Sequence, residues 1–136
     1  MKLLDGKKLS LELQTEIAAE VEAHIANGGR KPHLAAILIG DDPASKAYVG
    51  HKVKACAKAG FESSLIEREG DISQAELLDI VQELNEDDSV DGFIVQLPLP
   101  SHIDNQAVIE AVKPSKDVDG FHPENVGRMA LGLPTF

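Results

Sequence analysis

Two short, almost uninterrupted apolar runs, His33 to Gly40 (HLAAILIG) and Gly92 to Leu97 (GFIVQL), constrain this chain more than any other feature of it. A strand with one face in water alternates apolar and polar residues; a strand buried on both faces does not, and such strands belong to parallel sheets covered by helices above and below. The neighbouring segments carry the helical signals that such a sheet requires. Leu13, Ile17, Val21 and Ile25 recur at steps of four behind Ser10, a candidate N-cap, until Gly28 and Gly29, which predicts a one-faced surface helix. Asp42 and Pro43 read as N-cap and first residue of a helix to about Ala59, with Gly60 as its stop. Phe61 to Glu67 reads as a strand. Ser73 and Glu76 have capping-box spacing, and Leu77, Val81 and Leu84 continue one helical face behind them. A further helix opens at Asp104, with Ile103 and Val108 placed as a hydrophobic staple, and ends near Val112 before Pro114. A leading helix followed by βαβαβα predicts an α/β fold of three layers, a mostly parallel sheet with helices on both faces. Ligands of such sheets bind in the crevice at the carboxyl ends of the strands, so the loops of interest are Gly40 to Pro43, the stretch after Glu67, and Gln96 to Ser101.

With 136 residues there is room for one core of ordinary size. No repeat, linker or low-complexity tract divides the chain, and residues 1–136 are expected to form one domain. Hydrophobic residues at 43% and charged residues at 26% give a globular balance. The formal charge of −10 argues against nucleic acid or an anionic membrane as partner, since both repel an acidic surface. The start MKLLDGKKLS lacks the apolar core of a signal peptide, and no apolar run reaches the ~20 residues that span a bilayer. A cytoplasmic protein is expected, and the single cysteine, Cys56, fits a reducing compartment. Cys56 itself is expected to be a small core residue.

Three groups of residues carry chemical possibilities. Ser45, Tyr48 and Lys52 stand at helical spacings of three and four just after a strand end, which puts them on one face. A lysine against an aromatic ring in a partly dehydrated cleft can give and take a proton near neutral pH. The alternative is a solvated lysine beside a half-buried tyrosine. Second, Gln96 ends a buried strand and offers an amide at the crevice edge, and Pro98 and Pro100 after it stiffen a loop that would wall a pocket; the alternative is an ordinary turn. Third, the segment Lys116-Asp117-Val118-Asp119-Gly120 lacks the alternating ligands of a calcium loop. A single carboxylate there suits a ligand edge with two adjacent N–H donors. The five histidines lack metal-ligand spacing and are expected to be surface or structural, and no metal is expected.

The segments DDPASKAYVGHKVKA from Asp41, GFIVQLPLP from Gly92 and KDVDGFHPENVG from Lys116 together resemble, in order, three signatures of the bifunctional methylenetetrahydrofolate dehydrogenase/cyclohydrolase family. The resemblance covers essentially the whole chain and implies one-carbon folate chemistry. In it methylenetetrahydrofolate is oxidised by NADP (or NAD) to methenyltetrahydrofolate, which is then hydrolysed to 10-formyltetrahydrofolate. It further implies that Lys52 is the catalytic lysine, that Tyr48 stacks on and orients the folate, that Gln96 positions lysine and substrate, and that Asp119 rather than Asp117 holds the pterin. Ser45, Pro98 and Leu99 would line the substrate site. Family members continue into a Rossmann-like domain that holds the nicotinamide cofactor, and they are homodimers. No G-x-G-x-x-G follows a strand here, so residues 1–136 are expected to supply the folate site and lysine, to bind no cofactor alone and to lack dehydrogenase activity by themselves. Two other readings stand beside this one: a folate-binding unit without turnover, and a short-chain dehydrogenase with its Tyr-x-x-x-Lys. The latter needs a nucleotide-binding unit ahead of the helix, and only one strand precedes Tyr48.

Overall fold

Ala35, Ile37 and Ile39 of strand β1 (His33–Ile39) turn to one side of the sheet, Ala36 and Leu38 to the other, and all five are buried. This double burial is the physical reason the run shows no alternation. The structure is a computed structural model and describes residues 4–135. The first three residues of the MKLLDGKKLS start, and Phe136 of the LPTF ending, lie outside the described residues.

β1 is the middle of three parallel strands in the order β2-β1-β3, with β2 at Glu62–Arg68 and β3 at Gly92–Val95. The register runs from His33 opposite Glu62 to Ile39 opposite Arg68 on one side, and from Leu34 opposite Gly92 to Ile37 opposite Val95 on the other. Ala36, Leu38 and Ile94 pack with Val49 and Val53 of helix α2 (Pro43–Lys58). The opposite face packs on Leu77, Ile80, Val81 and Leu84 of α3 (Gln74–Glu86) and on Val108 of α4 (Asn105–Ala111). The expected three-layer α/β architecture is therefore the one observed. Because β1 connects to β2 over one face and β2 returns to β3 over the other, the strand order reverses between β1 and β3. The crevice outside the carboxyl ends of those strands is the topological switch point.

Most helix ends fall where the sequence places them. Asp42 accepts from the Ser45 N–H at 2.7 Å with Pro43 in the first turn, and Ser73 and Glu76 form the reciprocal capping box. Asp104 accepts from Gln106 and Ala107, and the staple residues Ile103 and Val108 are both buried. Three differences stand out. Helix α1 spans Gly6–Ala26 and is capped by Asp5 rather than Ser10, and of its apolar stripe Val21 alone is buried, with Leu13, Ile17 and Ile25 exposed. The stripe overhangs because α1 touches the rest of the fold mainly through α2. Strand β3 ends at Val95, two residues short of the expected Leu97, although the Gln96 N–H still donates to the Ile37 carbonyl at 2.9 Å. Finally, a 3-10 turn at Pro114–Lys116 and a helix α5 at Pro123–Ala130 follow α4. Among the described residues no helix is long and apolar enough to cross a membrane.

Candidate functional site

Beyond α4 the chain returns to the sheet, and Asp117 forms a parallel bridge to Phe93 of β3. Gly92 permits this approach, since a Cβ there would collide with Cγ1 of Val118 and come within 3.2 Å of the Lys116 carbonyl oxygen. The segment is held from the other side as well. Lys116 Nζ donates to the Leu84 and Asp87 carbonyls at 2.7 Å each, capping the exit of α3. The buried Asn85 side chain donates to the Ala111 carbonyl and accepts from the Lys113 N–H. The two aspartates of the segment then separate. Asp117 is 6% exposed, and its carboxylate accepts from the backbone N–H groups of Gly120, Phe121 and His122 and from Asn125 Nδ2. Gly120, at φ 70°, completes the turn in a conformation that side-chain-bearing residues rarely adopt. Asp119, within the same turn, takes no part in that network, and its side chain is 30% exposed.

Lys52 of α2 faces Asp119, with Nζ 3.6 Å from a carboxylate oxygen and side-chain exposures of 39% and 30%. The sequence spacing leads one to expect the lysine against Tyr48; among the described residues no hydrogen bond joins those two, and the lysine's charged neighbour is Asp119. At 3.6 Å the pair is looser than a hydrogen bond and open to solvent on one side, so a ligand can enter between its members at small electrostatic cost. Tyr48 is 63% exposed and presents its ring outward. Ser45, one helical turn before it, is buried and serves the cap through its backbone N–H, so the expected common face of Ser45, Tyr48 and Lys52 runs from core to solvent.

Gln96 stands just past β3. Its Nε2 donates to the Leu97 carbonyl at 2.7 Å, while its Oε1 is buried with no hydrogen-bond partner among the described residues. A buried acceptor without a donor is costly, and here it sits at the switch point. Leu97 and Asp119 line one narrow crevice along the β3 edge, and Lys52 and Ile94 line another beneath α2. Pro98 is exposed, whereas Leu99 is buried with the α3 and α4 side of the core and presents almost no surface. A wider cleft of about 340 Å³ opens beside Asp119, lined by Val118, Phe121, Val126 and Met129.

Cys56 is buried in α2, and its desolvation pushes the thiol up from its ordinary value, which suits a packing residue rather than a nucleophile. Three histidines hold the fold: His33 bridges Ser64 and the Ser89 carbonyl, His102 meets the Ile72 carbonyl, and His122 Nδ1 accepts from the Glu124 N–H. Among the described residues no three His, Cys, Asp or Glu side chains gather as a metal site. Asn85, Lys116 and Asn125, which fix the loop that carries Asp119, have no spacing signal in the sequence.

Comparison with known proteins gives the chain its family. The model of the tetrahydrofolate dehydrogenase/cyclohydrolase catalytic domain matches residues 4–119. The bifunctional protein FolD of Porphyromonas gingivalis is 61% identical over 135 residues, 99% of this chain and 46% of that protein. FolD of Flavobacterium johnsoniae is 57% identical over the whole chain and 46% of its own length. The crystal structure of FolD from Campylobacter jejuni superposes with a TM-score of 0.94 at 47% identity, covering 98% of this chain and 47% of that one. The Trypanosoma brucei methylenetetrahydrofolate dehydrogenase-cyclohydrolase, crystallised with NADP cofactor and an inhibitor, gives 0.89 at 36% identity over 94% of this chain and 43% of that one. The chain spans about half the length of the curated relatives it matches. It belongs to the tetrahydrofolate dehydrogenase/cyclohydrolase family, through that family's catalytic domain.

Proposed function

We propose that residues 1–136 act as a folate-binding catalytic domain that hydrolyses methenyltetrahydrofolate to 10-formyltetrahydrofolate, within a protein that also interconverts methylene- and methenyltetrahydrofolate. The observation that carries this reading is the meeting of Lys52 and Asp119 across the carboxyl edge of the sheet, 3.6 Å apart, with the unpartnered Gln96 oxygen on the same edge. In this reading Asp119 accepts the two adjacent N–H donors of the pterin, and Tyr48 offers its exposed ring to the flat heterocycle. Gln96 Oε1 accepts from the Lys52 ammonium or from the substrate. Hydrolysis adds water to the cationic methenyl carbon, and a ring nitrogen then leaves that carbon and takes up a proton, so that one proton is released overall. Lys52 takes the proton from the attacking water and returns one to the departing nitrogen.

The Campylobacter relative is a methylenetetrahydrofolate dehydrogenase/cyclohydrolase, and the Saccharomyces cerevisiae neighbour is an NAD-dependent methylenetetrahydrofolate dehydrogenase. The residues of this chain do not fit a dinucleotide. Each helix start at the carboxyl edge of the sheet, where a pyrophosphate would lie, is already closed by a side chain of the protein: Asp42 on α2, Ser73 with Glu76 on α3, and Asp104 on α4. No hydride step is therefore assigned to these residues.

Following the disappearance of methenyltetrahydrofolate tests the proposal. The chain should accelerate hydrolysis over buffer, and Lys52→Met should bind the folate while losing about a hundredfold or more of that acceleration. Hydrolysis at the parent rate in Lys52→Met would remove the lysine from its role. Folate binding without any hydrolysis by the parent would instead establish a binding unit.

A further inference from the structure

We propose that Asp117 and Asn125 are positioning residues that set Asp119 for the pterin, and that helix α5 is thereby part of the folate site's support. This rests on the reading of Asp119 as the pterin's carboxylate. The Asp117 carboxylate is buried and takes four N–H donors, Gly120 at 3.1 Å and Phe121 at 3.3 Å on one oxygen, His122 at 2.8 Å and Asn125 Nδ2 at 3.0 Å on the other. A carboxylate taken from water is tolerated only while such donors replace its hydration. The turn from Asp117 to His122 therefore cannot slide or open without stranding a buried acceptor. Asp119 lies within that turn in sequence, so the same bonds fix the backbone from which its side chain reaches toward Lys52.

Asn125 makes the arrangement two-sided. Its Nδ2 donates both to Asp117 and, at 2.8 Å, to the Pro114 carbonyl, while its backbone belongs to the first turn of α5. One side chain thus ties the start of the segment, the carboxylate at its centre and the helix after it. A carboxylate held in place before binding loses little freedom when the ligand arrives, and affinity depends on that saving. Asn125 contributes to folate affinity without touching the folate, and its whole contribution passes through Asp119.

A double-mutant cycle separates this role from general support of the fold. The chain, Asn125→Ala, Asp119→Ala and the double variant are each titrated with tetrahydrofolate by calorimetry, at a temperature where circular dichroism shows all four folded. Asp119→Ala should weaken binding on the order of a hundredfold, Asn125→Ala about fivefold, and the double variant no more than Asp119→Ala alone. Asn125→Asp, equal in shape, should do worse than Asn125→Ala because it sets one carboxylate against another. Should Asn125→Ala fail to fold, Asn125→Ser keeps a donor on a shorter arm and carries the same cycle. An equal loss from the Asn125 change in both backgrounds, or none in either, would overturn the positioning role while leaving Asp119 as ligand. Unchanged affinity in Asp119→Ala would strike the reading beneath it instead.

Discussion

Asp117 and Asp119 differ by two positions and end in opposite environments, one buried under four N–H donors and one facing a lysine across open space. Nothing in the segment KDVDG distinguishes them, because the donors that claim Asp117 come from the turn that the segment itself forms and from an asparagine in a later helix. The choice of Asp119 comes from family resemblance; what the structure adds is that the Asp117 carboxylate is already taken by four N–H donors. The charged neighbour of Lys52 is not legible in the sequence: spacing along α2 points to Tyr48, and the carboxylate arrives from a distant loop. At the opposite end of the sheet Asp91 is held by local chemistry of another kind. Burial pushes its carboxyl up, but the His33 N–H at 2.8 Å and the bidentate Arg30 guanidinium outweigh that and leave it below its ordinary value of 3.8. The resulting stability is present above pH 3.8 and is lost as the pH falls from there through the lowered folded value. Melting temperatures recorded from pH 6 down to pH 2 should fall less steeply over that acid window in Asp91→Asn than in the parent. Identical slopes would show that the Arg30 pair, half-exposed as it is, contributes nothing that pH can remove.

At the scale of elements, the helices that start with a cap and bury a stripe were readable, because both signals are local. The start of α1 was misplaced because its apolar stripe, which dictates the choice of Ser10, mostly faces solvent and so does not mark the residues the fold uses. Helix α5 is signalled in the sequence by Pro123 in its first turn and Glu124 beside it, although it buries no apolar stripe that would announce it. The element-to-element ties were invisible, and Asn85 is the clearest of them. It is 4% exposed in α3 and pairs its amide with the Ala111 carbonyl at 2.7 Å and the Lys113 N–H at 2.8 Å. Asn85→Ala strands both backbone groups and leaves a small void, so it should cost about 2 to 4 kcal/mol. Urea unfolding measures this directly. A loss within ~0.5 kcal/mol, the range of an ordinary surface substitution, would mean that water replaces the amide without penalty.

For the molecule as a whole, the fold follows from its two unalternating strands, and the site follows from where three parallel strands end. The chain accounts for about half the length of its curated relatives. The exposed Phe121, Val126, Met129, Leu131 and Leu133 all fall in the last 16 residues of this chain, and the first three line a cleft with Asp119. In the proposed function this chain by itself forms a folate site, with the Lys52 and Asp119 pair as its floor and Tyr48 as its wall. The chain has one tyrosine and no tryptophan, so a single aromatic spin system reports on that wall. Nuclear magnetic resonance of the tyrosine ring during a titration with tetrahydrofolate should show saturable upfield shifts from stacking, and Asp119→Ala should need far more ligand to reach them. Ring signals of Tyr48 that stay in place at saturating folate, or that move equally well in Asp119→Ala, would contradict the site described above.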